Sequence, residues 1–412
     1  MLALLNQHAD QRMHYKLLNS RLREKNALWE PFQVALENFS EAEYQRLSKL
    51  IVERSISELQ GSVNSGDLSY EELVTFYIYR IRKMESDDGQ FINGIISLNP
   101  TAIERARQLD EIQFKSEGRD KNSIFGIPVL LKDNIGFAGI PTTAGAAALI
   151  ENHTTNAFIT NRLLEQGAIV LGKANLSEWA YFFCRDCPSG YSAVGGQTLN
   201  PYGRSDFGTG GSSSGSGASI AANYAAVAVG SETSGSILSP SSANSLVGLK
   251  PTTGSLSRSG VVPISSTLDT VGPMGRSVAD VVTLFNAMVG FDEEDLAMPR
   301  LSEDLQLVLR QAPMDSGTFG ILTTYADNMQ YQNALSLLSD NGFNLREVDF
   351  QNERHPRFSE FLGAEMKRDL LSYLQKHASA SVEIDSVYTL SLIHISEPTR
   401  PLYISYAVFC LK

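Results

Sequence analysis

Along the first 85 residues the apolar positions recur at helical spacing: Tyr44, Leu47 and Ile51 mark one stripe, and Leu73, Phe76, Tyr77 and Ile81 mark another between Glu71 and Met84. Both stripes are read as packing faces. Three helix starts are written as a serine followed three residues later by a glutamate: Ser40 with Glu43, Ser55 with Glu58, and Ser69 with Glu72. In such a box the hydroxyl accepts from a free first-turn amide while the carboxylate accepts from the amide of the serine. From about residue 90 the texture changes to strand and helix in turn. Phe91–Leu98, Ile124–Leu131 and Ala168–Leu171 read as extended, and Thr101 to about Lys115 and Ala157–Gln166 as helical. That alternation predicts an α/β fold, a sheet with helices on its faces.

Residues Gly208–Gly217, Gly-Thr-Gly-Gly-Ser-Ser-Ser-Gly-Ser-Gly, are the compositional outlier. They open an alanine-rich helix pattern, Ala218–Ala226, which leads into an apolar strand, Ala225–Val229, and a second small-residue turn, Ser231–Ser236. A turn so placed is not a linker between two cores. After Gly260 mixed elements return, with Arg276–Val289 helical, no internal repeat and no firm domain boundary.

Composition narrows the possible functions. At 42% hydrophobic and 19% charged, 412 residues can bury a sizeable core, and a net charge of −12 argues against nucleic acid or an anionic membrane surface as partner. Ala218–Gly230 is too short to span a bilayer. His8, Asp10, Arg12 and His14 interrupt any secretory apolar core, so a cytoplasmic location is expected. The pair Cys184 and Cys187 is then read as incidental, reduced thiols. The tail Leu390–Lys412 stands apart: it resembles a translated sequencing-library adapter, so the natural chain is expected to run past Thr389. The expected organisation is a helical extension over 1–54, a main domain over 55–389 that is incomplete at its C-terminus, and an artefactual tail over 390–412.

The glycine-rich turns suit an anion in principle. A phosphate loop fails for want of a lysine between Lys173 and Lys250, and the dinucleotide pattern fails at Ser213. Gly211-Ser-Ser-Ser-Gly215 fits a nucleophile elbow at Ser213, but no buried strand precedes it and histidines are scarce. Lysine remains as a base if it is held neutral, which asks burial for roughly 4 kcal/mol. Lys132 ends the apolar run from Ile124 and is placed either for that role or as a surface lysine at a strand end.

Lys132 after its apolar strand, Gly210-Gly-Ser-Ser213, Gly235-Ser236-Ile237, Pro240 and Gly248-Leu-Lys-Pro251 together resemble the amidase signature family. The similarity runs from about Ser55 to Asp292 and includes Gly172–Ala180 and Leu268–Pro273; Asp206–Gly217 looks most like the bacterial peptide-amidase branch. The resemblance implies one large mixed β-sheet covered by helices on both faces. It also implies a triad: Ser236 as nucleophile, Ser212, after a cis peptide bond, as bridging serine, and Lys132 as base. The backbone amides of Thr233, Ser234, Gly235 and Ser236 are implied as the oxyanion hole. Activity on a small-molecule or peptide amide without cofactor or metal follows, and self-association as a homodimer is left open. Ser234 stands where the family usually has Gly or Asp, and Leu238 where tRNA-dependent amidotransferase A subunits carry Arg. A glutaminase-type A subunit and an inactive truncated homologue are the competing readings.

Overall fold

The computed structural model describes residues 8, 10, 13–15, 17–114, 120, 123–183, 187–299, 305–309, 317–349, 355–382 and 384. The tail over 390–412 lies outside the described residues.

The helical start of the chain forms α1 (Gln33–Asn38), α2 (Glu41–Ile51), α3 (Ile56–Asn64) and α4 (Tyr70–Glu85). All three serine–glutamate boxes close, with both reciprocal hydrogen bonds present at Ser40, Ser55 and Ser69. The two apolar stripes are buried, and Phe32, Leu36, Leu47 and Ile51 belong to the same apolar cluster as the sheet strands.

The chain then lays down β1 (Ile95–Leu98), α5 (Ala102–Gln113), β2 (Pro128–Lys132), α6 (Phe158–Glu165) and β3 (Ile169–Ala174). The short pair β4 (Tyr191–Ser192) and β5 (Gly196–Gln197) follows, then α7 (Ser214–Ala221), β6 (Val227–Glu232), α8 (Leu238–Ala243), β7 (Val247–Gly248), β8 (Thr270–Gly275) and α9 (Val278–Met288). Six strands form one mixed sheet in the order β1-β3-β2-β6-β8-β7. β3, β2 and β6 are parallel, while β1, β8 and β7 each run antiparallel to a neighbour. Every residue of β2, β3 and β6 is buried, so both faces of the sheet are covered, as the near-continuous apolar runs require.

Two boundaries differ from the sequence reading for identifiable reasons. The strand after Ile124 begins only at Pro128, because Gly126 takes a left-handed turn (φ +72°) against the ring of Tyr70, where a Cβ would lie 2.2 Å from a ring carbon. α7 starts inside the serine-rich turn, with Gly217 donating to the Ser213 carbonyl at 3.1 Å, and it ends before Asn223, whose φ is +57°.

Residues 308–363 form a second compact unit. Within it β9 (Thr318–Leu322) and β10 (Asn344–Val348) pair in parallel across five residues, connected through α10 (Met329–Asp340). α11 (Phe358–Lys376) follows, its residues from Ala364 onward counting with the first unit.

Candidate active site

β2 delivers Lys132 to the end of a strand with no exposed residue, and the side chain itself is wholly buried. Its Nζ lies 2.8 Å from Ser212 Oγ, 3.0 Å from Ser231 Oγ and 3.1 Å from the Ser231 carbonyl oxygen. Burial disfavours the ammonium and pulls its pKa down to about 7, against the opposing charges of Asp269 and Glu232. The partners suit both protonation states. An ammonium donates to all three, whereas a neutral amine can still donate to the Ser231 oxygens and receive the Ser212 hydroxyl proton in its lone pair.

Ser212 sits in the turn that opens α7, and the Gly211–Ser212 peptide is cis. The glycines before it are required by close approach. Gly210 is left-handed (φ +63°), and a Cβ there would lie 2.7 Å from Pro240 N; one on Gly211 would lie 2.8 Å from Ser177 Oγ. The turn is tied on both sides. Ser177 N donates to the Ser212 carbonyl at 3.0 Å, Ser213 Oγ donates to the Ser231 carbonyl at 3.1 Å, and Ser213 N donates to the Ser236 carbonyl at 3.1 Å. Lys132, Ser212 and the stretch from Ser231 to the turn bearing Ser236 are therefore neighbours, although they come from three separate parts of the chain. Ser236 is 9% exposed.

The second turn, Thr233–Ser236, joins β6 to α8 and is organised by two carboxylates that sequence reasoning gave no role. Glu232, at the end of β6, folds back on its own turn: Oε1 accepts from Gly235 N at 2.8 Å, and Oε2 from Ile237 N at 2.7 Å and Leu238 N at 3.0 Å. The Thr233 hydroxyl donates to Asp269 Oδ1, while Asp269 Oδ2 accepts from Ile264 N at 2.7 Å and Ser265 N at 2.9 Å. Burial raises the carboxyl pKa of Asp269. Of the four amides that the family resemblance implies as oxyanion donors, Gly235's is thus already engaged by Glu232. The available signal was an acid directly before a run of small residues.

Next to Lys132, Asp133 forms a wholly buried ion pair with Lys173, 3.1 Å from Nζ to Oδ1. Lys173 also donates to Thr142 Oγ1 at 3.0 Å, and Asp133 Oδ2 accepts from Thr143 N at 3.2 Å and Gly145 N at 3.4 Å. This pair fixes the loop that follows the base. A cleft of about 750 Å³, lined by Asn134, Ser231, Thr233, Ile264, Tyr373 and His377 among others, meets the site through Ser231–Thr233; Ser212 and Ser236 do not line it. The reading of Cys187 as a reduced thiol is corrected, since it is disulfide-bonded; Cys184 lies outside the described residues. Among the described residues no helix is long and apolar enough to cross a membrane.

The family model for amidases matches residues 72–400. A probable amidase of Arabidopsis thaliana is 41% identical over 275 residues, covering 66% of this chain and 53% of that protein. The A subunit of the glutamyl-tRNA(Gln) amidotransferase of Thermoanaerobacter pseudethanolicus is 38% identical over 244 residues, 58% of this chain and 47% of that protein. Of solved structures, an amidase family protein from Bacillus anthracis superposes with a TM-score of 0.85 at 33% identity, covering 96% of this chain and 80% of that one. The native peptide amidase from Stenotrophomonas maltophilia does so with a TM-score of 0.77 at 34% identity, covering 86% and 75%. The chain belongs to the amidase family. It spans about half the length of the curated relatives it matches.

Proposed function

We propose that the protein hydrolyses a carboxamide through an acyl-enzyme, with Ser236 as nucleophile, Ser212 as proton relay and Lys132 as base. The observation that carries this reading is the 2.8 Å contact between Lys132 Nζ and Ser212 Oγ inside a fully buried site whose lysine is held near neutrality. A hydroxyl attacks an amide carbonyl only with a base in line, and a two-hydroxyl relay lets a buried lysine serve where no histidine is at hand.

In this scheme the lone pair of neutral Lys132 takes the Ser212 proton as Ser212 Oγ takes that of Ser236, whose oxygen bonds to the carbonyl carbon. The resulting oxyanion is held by the amides of Thr233, Ser234 and Ser236; Gly235 joins them only on release from Glu232. One such donor is typically worth roughly 3 kcal/mol. The proton returns through Ser212 to the leaving nitrogen, the C–N bond breaks, and ammonia or an amine departs. Water, deprotonated along the same path, then cleaves the acyl-Ser236 ester.

A small-molecule or C-terminal peptide amide is the proposed substrate, supported by the likeness to a peptide amidase at 34% identity. The glutaminase reading is disfavoured by Leu238, an apolar side chain 47% exposed at a position where such A subunits carry arginine. Ammonia release from a panel of peptide amides and from glutamine tests the assignment: turnover of a peptide amide without any partner subunit supports it. Turnover of glutamine alone, and only with partner subunits, overturns it.

A further inference from the structure

The sheet ends at β1, and between that edge and residues 19–28 lies a cavity of about 950 Å³, away from the cleft beside Thr233. Three basic side chains line it, Arg21, Arg23 and Lys25, with Glu24 the one acid among the lining residues. Lys25 is engaged by Glu85 at 2.9 Å. The guanidinium groups of Arg21 and Arg23 have no hydrogen-bond or ion-pair partner among the described residues, in a chain with 46 acidic residues against 34 basic.

The floor of the cavity adds an unmet polar group. Ser97 lines it, is 8% exposed, and its Oγ has no hydrogen-bond partner among the described residues. A buried hydroxyl left in that state carries a desolvation penalty that a ligand oxygen removes. Ser97 stands opposite Lys173 across the β1–β3 pairing, and directly opposed residues share a face of a sheet. Arg23 lines the same cavity. Its positive charge is felt by buried Lys173, where it adds to the larger effect of burial in lowering that lysine's proton affinity.

We propose that this cavity is a second binding site, for a small organic anion whose carboxylate or phosphate oxygens are held by the Arg21 and Arg23 guanidinium groups and the Ser97 hydroxyl. Arginine's planar fork matches both kinds of oxyanion. The volume falls within the range of roughly 300–1,000 Å³ typical of small-molecule sites, so an organic anion fits where a bare oxyanion leaves space.

Calorimetric titration of the whole chain at fixed ionic strength tests the site, with inorganic phosphate and citrate as probes and glycerol as neutral control. The expected result is saturable binding of one or both anions, phosphate or citrate preference telling the two chemistries apart, and none of glycerol. Binding weakens at least tenfold in the double variant Arg21→Gln/Arg23→Gln and at least threefold in Ser97→Ala, with circular dichroism showing both folded. No saturable heat with either anion on folded wild type, or unchanged affinity in either variant, overturns the proposal. The readout needs no turnover, and Ser236→Ala binds the anions as wild type does, so this site and the hydrolytic one stand or fall separately.

Discussion

Replacing Lys132 by methionine keeps an unbranched side chain one heavy atom shorter and deletes its titration. In the unfolded chain the ammonium has its ordinary value of 10.5, and in the fold about 7. Between those values the unfolded state binds more protons, so this residue makes stability rise with pH through that window. The gain amounts to about 2.5 kcal/mol between roughly pH 7.5 and 9.5, from a limiting slope of about 1.36 kcal/mol per pH unit. Urea unfolding of wild type and Lys132→Met at both pH values, extrapolated to water, gives the difference directly. Groups distant from Lys132 titrate alike in both proteins and cancel. The wild type should gain on the variant as pH rises, by about that amount. Two stability curves that stay parallel would refute the claim that Lys132 is buried and held near neutrality.

Glu232→Gln should lower kcat roughly a hundredfold, since a carboxylate accepting from three turn amides contributes about 2–3 kcal/mol and the substituted amide group opposes one of those donors. Because the Glu232 charge supports the proton on Lys132, the acid limb of kcat/KM, expected near pH 7, should move to lower pH in the same variant; an unmoved limb would leave Glu232 a structural role only. Gly210→Ala places a Cβ 2.7 Å from the Pro240 backbone at a left-handed residue and should cost about 2–4 kcal/mol in chemical denaturation, where a loss below about 0.5 would contradict the packing described. Ser55→Ala removes the α3 capping box and should cost about 1 kcal/mol by the same measurement; no loss would mean that the box is idle in solution.

What was legible in the sequence was what is decided locally. The serine–glutamate boxes form because all their atoms lie within one helical turn, and the apolar run before Lys132 is a strand buried on both faces, whereas the burial of Lys132 itself was left open by the spacing and is decided by the fold. The start of α7 was misjudged because alanine marks helical propensity, while the first turn is set by the Ser213 carbonyl accepting from Gly217. Glu232 escaped notice because an acid at a strand end ordinarily faces water. Here it is 4% exposed and curls onto the next six residues, which only the closed turn reveals. Asp133 and Lys173 are 40 positions apart, and their pairing depends on β2 and β3 lying side by side. The compact unit at 308–363 gave no sharp signal because its strands are largely exposed, so their apolar alternation is weak.

Intact-protein mass after treatment with a fluorophosphonate probe reports whether Ser236 is an activated serine fed by the buried Lys132. One adduct on the wild type, absent from Ser236→Ala and from Lys132→Ala, is the predicted result. An adduct that survives Ser236→Ala, or no adduct on wild-type protein shown to be folded, would contradict it.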